Sequence, residues 1–129
     1  MTNIKLYHGG HKNDLYTMQS YGLSRERDFY CSRHQSLAQA ACEIHGFEGM
    51  VIAITLPKVI FNECIRLQLW EEKPYLGCIQ VEGTREVVIN RGLGIDVLNF
   101  LIEVPSHSIT DDHLKRLKRA YPTLESMNF

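Results

Sequence analysis

Four cysteines, Cys31, Cys42, Cys64 and Cys78, are scattered along the chain with no C-x-x-C pair and no zinc-finger spacing. No secretory leader stands at Met1-Thr2-Asn3-Ile4-Lys5, so the thiols are expected to be reduced and mostly buried, and the protein cytoplasmic. No apolar run approaches the roughly 20 residues of a bilayer span, and no membrane partner is expected. Charge of one sign is also lacking: 14 Lys and Arg against 15 Asp and Glu leave a net charge of −1. That balance speaks against a protein that grips nucleic acid with its whole surface. His8 and His11 flank a glycine turn without a third ligand, so no metal is expected. Internal repeats, low-complexity tracts and regular β-α-β alternation are missing too.

What remains is one domain, residues 1–129, long enough to bury a core. Ile4-Lys5-Leu6-Tyr7 alternates as a short strand that should stop in a turn at Gly9-Gly10. Lys12–Tyr21 reads as a helix capped by Gly22, and Ser24–Asp28 as a charged loop. Phe29–Cys31 is a strand, and Gln35–Ile44 a helix whose alanines suit close packing on a sheet. Met50–Leu56, apolar and β-branched, is expected at a sheet centre with both faces buried. Val59–Leu69 is undecided between helix and extended chain. Trp70–Pro74 reads as a loop, Gly77–Glu82 as a weak strand, Val87–Ile89 as a firmer one, and Val97–Val104 as another strand or a strand after one helical turn. Thr110 should cap a final helix with acids in its first turn and Lys115, Arg116, Lys118 and Arg119 towards its end. Short strands and short helices without alternation predict an α+β domain.

Three strand-borne residues draw attention together. His8 is followed by glycines, whose bare backbone offers N–H and C=O groups to a carboxamide while the imidazole binds a hydroxyl beside it. Tyr30 would present a flat ring to a pyridinium, an attraction worth about 0.5–2 kcal/mol. Ser32 and Ser36 add hydroxyls nearby. Glu86, opening the apolar run Val87-Val88-Ile89, would stabilise positive charge developing on a sugar, with Glu82 as the fallback. Taken singly, each has an ordinary structural explanation; their order and spacing carry the weight.

Tyr7-His8-Gly9-Gly10, then Asp28-Phe29-Tyr30-Cys31-Ser32 with Ala38 to Ala41 and Gly49–Leu56, then Thr84-Arg85-Glu86-Val87-Val88-Ile89, resemble the ADP-ribosyltransferase superfamily. The likeness is to its diphtheria-toxin and poly-ADP-ribose-polymerase branch, marked by a His-Tyr-Glu triad, and covers roughly residues 4–90. It implies a small split β-sandwich with short flanking helices and NAD as co-substrate. By the same resemblance His8 would hold a ribose hydroxyl, the Gly9 backbone the carboxamide, Tyr30 the nicotinamide ring, and Ser36 a place near the amide. Glu86 would bind the ribose 2′-hydroxyl and favour cleavage of the glycosidic bond. The implied activity is transfer of ADP-ribose to a protein or nucleic-acid acceptor, in a toxin, effector or other setting. The alternatives are an NAD glycohydrolase on the same pocket and a degenerate module that binds without turnover. Two departures stand out. Ala41-Cys42 occupies the place of a second ring-stacking tyrosine, so the sandwich is either incomplete or closed from elsewhere, for instance by Phe47 or Tyr16. Thr84 stands where the arginine-modifying branch carries Glu or Gln, which weakens arginine as acceptor. The basic run Lys115–Arg119 offers a nucleic-acid contact, though it also complements a helix C-terminus.

Overall fold

A computed structural model describes residues 2–76, 84–104 and 108–127. The fold is α+β, with two small antiparallel sheets and five α-helices among the described residues. Strand β1 (Asn3–His11) pairs along its whole length with β3 (Gly49–Pro57), from Asn3 opposite Pro57 to His11 opposite Gly49. The second sheet has the order β2 (Phe29–Cys31), β5 (Arg85–Ile89), β4 (Trp70–Pro74). Tyr30 lies opposite Val88, and Lys73 opposite Glu86. The sheets meet at an isolated bridge, where Tyr7 N–H donates to the Ser32 carbonyl at 2.7 Å and Ser32 N–H to the Tyr7 carbonyl at 2.9 Å.

Helices α1 (Lys12–Tyr21), α2 (Gln35–Glu43), α3 (Lys58–Arg66), α4 (Leu93–Glu103) and α5 (Asp111–Ala120) pack around these sheets. Leu6, Leu56, Ile60, Trp70, Ile89 and Leu98 are almost wholly removed from water and join one apolar core. Trp70 satisfies its indole N–H with the Gly94 carbonyl at 2.9 Å, pinning α4 to β4. Thr110 caps α5 reciprocally with His113: its hydroxyl accepts from the His113 N–H, and its own N–H donates to His113 Nδ1 at 3.0 Å. No described helix is long and apolar enough to cross a membrane.

Several expectations from the sequence need correction. β1 does not stop at a glycine turn; Gly9 and Gly10 are strand residues opposite Val51 and Met50. Gly9 is needed for approach, because a Cβ there would collide with the Ala38 carbonyl oxygen of α2. β3 is not buried on both faces: Ile54 and Leu56 are buried while Ala53 and Thr55 are exposed. Among the described residues it pairs with β1 alone, and α2 covers the outer face just at the Gly49 end. Residues 58–66 settle as helix, with Ile60, Phe61 and Cys64 buried on one face.

The segment Trp70–Pro74 is an edge strand rather than a loop. Only Trp70 anchors it inward, and the exposed Glu71 and Lys73 are the charges an edge tolerates. Residues 97–103 are helix rather than strand. Asp96, Asn99 and Glu103, spaced three and four apart, share the polar side, while Ile95, Leu98 and Leu101 are buried. The β-branched residues there concealed that period. The expected strand at Gly77–Glu82 lies outside the described residues.

Candidate functional site

Backbone direction builds this site. Along a strand, successive residues turn their N–H and C=O groups to opposite edges. Tyr7 directs both towards β2, where Ser32 meets them. Gly9, two residues on, points its groups to the same edge, and no backbone partner among the described residues meets them there. β1 and β2 have parted, leaving a donor and an acceptor side by side on a residue with no side chain.

The same register collects side chains. Residues directly opposite in an antiparallel pair share a face, as do residues two apart on one strand. Tyr7 opposite Ser32, Tyr30 opposite Val88 and Lys73 opposite Glu86 therefore put Ser32, Tyr30, Glu86 and Tyr75 on one face. Helix α2 covers the β1 side with Leu37, Ala38 and Ala41. Between them lies a hollow of about 250 Å3 lined by Tyr7, His8, Gly9, Tyr30, Ser32, Tyr75 and Glu86, among others. That is slightly under the roughly 300–1,000 Å3 of full ligand pockets, and suits one end of a larger molecule.

His8 is set differently from the other two members of the expected triad, and it is mid-strand rather than at a strand end. Its ring belongs to the other face, with its centroid 4.3 Å from that of Phe29. Nδ1 lies 2.6 Å from the Tyr30 carbonyl, which only accepts, so Nδ1 carries the proton. Burial holds the imidazole below its usual pKa, against the opposing pull of the Tyr30 carbonyl and of Asp14. The ring is then neutral near pH 7, with Nε2 as an acceptor for a hydroxyl. A Cβ on Gly10 would stand 3.3 Å from Nε2, so the glycine keeps that nitrogen accessible. His8 also lines a second hollow, of about 550 Å3, with Asp14, Ser24 and Arg27. It thus stands where the two hollows adjoin.

Neighbouring residues brace the site. Ser32 Oγ donates to the Arg85 carbonyl at 2.6 Å and accepts from His34 N–H at 2.9 Å. Arg33 grips Glu72 of β4 through two hydrogen bonds of 2.7 and 2.6 Å, and its guanidinium lies 5.4 Å from the centre of the Phe61 ring. Cys31 and Cys64 are buried, and desolvation pushes both thiols well above their ordinary pKa, which makes them inert. Cys42 is half-buried against Gly49, and Cys78 lies outside the described residues.

The structure brings Tyr30, Glu86, Gly9 and His8 to one place, but not every expected residue. Ser36 is exposed on the first turn of α2 and does not line the hollow; Ser32 does. Phe47 is fully exposed and Tyr16 half-exposed, and neither lines it. The second aromatic wall is Tyr75, which sequence reasoning missed because β4 was read as a loop. Pairing of Lys73 with Glu86 puts Tyr75 on the Glu86 face, a consequence visible only once β4 is a strand. Glu82, the fallback carboxylate, lies outside the described residues. His11 accepts from Asn13 N–H at 3.1 Å and meets His45 edge-on; no group of three metal-ligating side chains occurs among the described residues. In α5, Lys118 donates to the Met127 carbonyl at 2.8 Å, while Lys115, Arg116 and Arg119 are exposed.

Comparison of the chain with known protein families, characterised proteins and solved structures returns no match.

Proposed function

We propose that this chain is an ADP-ribosyltransferase-type enzyme with a split β-sandwich, which takes NAD as co-substrate and passes its ADP-ribose to a macromolecular acceptor. The observation that carries the reading is the convergence of the Tyr30 ring, the unpaired Gly9 edge and the Glu86 carboxylate on one hollow. The residues present fit the nicotinamide end of that molecule. A pyridinium stacks on Tyr30, with Tyr75 as the second wall. Its carboxamide, one donor and one acceptor, matches the Gly9 N–H and C=O. The neutral His8 Nε2 accepts a ribose hydroxyl, and the adjoining hollow takes the remainder of the dinucleotide, Arg27 supplying positive charge towards its phosphates.

In the reaction the bond between ribose C1′ and the pyridinium nitrogen breaks, and nicotinamide leaves neutral with the electron pair. Glu86 stabilises the positive charge that develops on the sugar. A nucleophile of the acceptor then bonds to C1′, and its proton passes to solvent. The chain's own contribution is binding, orientation and charge stabilisation, in the manner of enzymes that cleave glycosidic bonds through oxocarbenium-like states. A second reading, NAD glycohydrolase, is favoured by the exposure of Tyr30, 52% in this structure, which leaves the reacting carbon open to water.

The test is consumption of labelled NAD by wild type and Glu86→Gln, alone and with cell extract. Wild type should release nicotinamide, and Glu86→Gln should be slower by about 100-fold or more. Label on protein or nucleic acid marks the transferase, and label in free ADP-ribose the hydrolase. Equal rates in the two proteins would remove Glu86 from the chemistry.

A further inference from the structure

We propose that Ser32 is a positioning residue whose buried hydroxyl sets Glu86 at its distance from the Tyr30 ring, an inference that rests on the reading of the hollow given above. Ser32 is 1% exposed, and among the described residues only Thr84 is a further polar side chain so removed from water. Each of its hydrogen-bonding groups is engaged. Its N–H and C=O meet Tyr7, and its hydroxyl donates to the Arg85 carbonyl while accepting from His34 N–H.

The ladder between β2 and β5 ends with Cys31 opposite Val87. At Ser32 the backbone groups face β1, so the side chain continues the join to β5 beyond Val87, reaching the carbonyl of Arg85, immediately before Glu86. One residue therefore holds three parts together: its backbone meets β1 two residues short of Gly9, and its hydroxyl joins the strand end that bears Glu86 to the turn into the helix roofing the hollow. Removing it orphans the Arg85 carbonyl and the His34 N–H, and releases the carboxylate by the fraction of an ångström to which such chemistry is sensitive. Arg33 offers the contrast. It ties β2 to β4 through Glu72 with bonds as short, yet makes no hydrogen bond to the Arg85 carbonyl.

The experiment is a double-mutant cycle on NAD cleavage, read by release of radiolabelled nicotinamide, with Ser32→Ala, Glu86→Gln, their combination and Arg33→Ala. Ser32→Ala should lower kcat by about 10- to 100-fold while KM stays within about threefold, because the aromatic and backbone contacts to the ring persist. In the Glu86→Gln background the same change should have almost no further effect. Arg33→Ala should lower the melting temperature and leave kcat within about twofold. If Ser32→Ala does not fold, Ser32→Cys, with similar volume and only a weak donor, is read in the same cycle. An unchanged kcat, or effects that multiply independently with those of Glu86→Gln, would overturn the role of Ser32 while leaving the enzyme reading intact. A folded wild type that leaves NAD uncleaved would overturn both, and is told apart because no variant then differs from it.

Discussion

Along β1, the polar groups that reach the hollow are main chain, the N–H and C=O of Gly9, beside Tyr7 and with an imidazole looking in from the other face. Along β2, β5 and the end of β4 it is side chains, namely Tyr30, Ser32, Glu86 and Tyr75. The two sheets share a bridge between Tyr7 and Ser32, and the hollow opens where they part. The difference teaches what each half tolerates. The β1–β3 ribbon holds its place by close approach of α2 and has no room for a side chain at Gly9, whereas the three-stranded sheet carries Tyr30 half-exposed, on the face away from its buried Phe29 and Cys31, so loss of such a side chain should disturb packing less.

Gly9→Ala is therefore the sharpest way to break the comparison. Its Cβ would collide with the Ala38 carbonyl and lie 2.9 Å from the Cys42 nitrogen, both backbone atoms of α2. Forcing them apart should cost about 1–3 kcal/mol, read as a lower urea midpoint. Gly10→Ala should cost less, because its Cβ meets only the His8 ring. Equal stability losses at the two glycines would remove the distinction between the halves.

On the other sheet, Tyr75→Ala should leave the urea midpoint almost unmoved but weaken nicotinamide binding by about 0.5–1.5 kcal/mol through loss of ring stacking, measured by calorimetry. An effect on stability alone would make Tyr75 a packing residue.

The smallest effect concerns His8 and pH. Burial lowers its pKa in the folded chain below the unfolded value of about 6.5, so between the two values the unfolded chain binds more protons. Stability is then level above about pH 6.5 and falls as pH drops through that window, and His8→Asn should shallow the fall. A slope identical in wild type and variant would place the titrating group elsewhere.

Much of this arrangement was legible in the sequence, for particular reasons. Lys12–Tyr21 and Phe29–Cys31 matched residue for residue, because their limits are written locally, by Gly22 after the helix and by charge before the strand. The final helix starts where expected, with Thr110 as its cap, since a cap and a polarised charge pattern are short-range signals. β4 stayed hidden because an edge strand with one inward anchor, Trp70, has no alternation to read. α4 was mistaken because β-branched residues obscured the spacing of Asp96, Asn99 and Glu103. At the site, Tyr30, Glu86 and Gly9 could be singled out as residue types, but the face each occupies depends on strand register, which only pairing decides. Register is why Ser32 in the hollow and His8 on the opposite face emerge only from the paired strands, while Ser36, which the resemblance implies, stands on the exposed first turn of α2.

The central claim is that the seam beyond the Tyr7–Ser32 bridge receives a pyridine carboxamide. Titration of 15N-labelled protein with nicotinamide tests it without requiring turnover. The account predicts amide shift changes concentrated at Gly9, Tyr30, Ser32 and Glu86, saturating together. Changes confined to other parts of the molecule, such as the groove between α4 and α5, with these four amides unmoved, would contradict it.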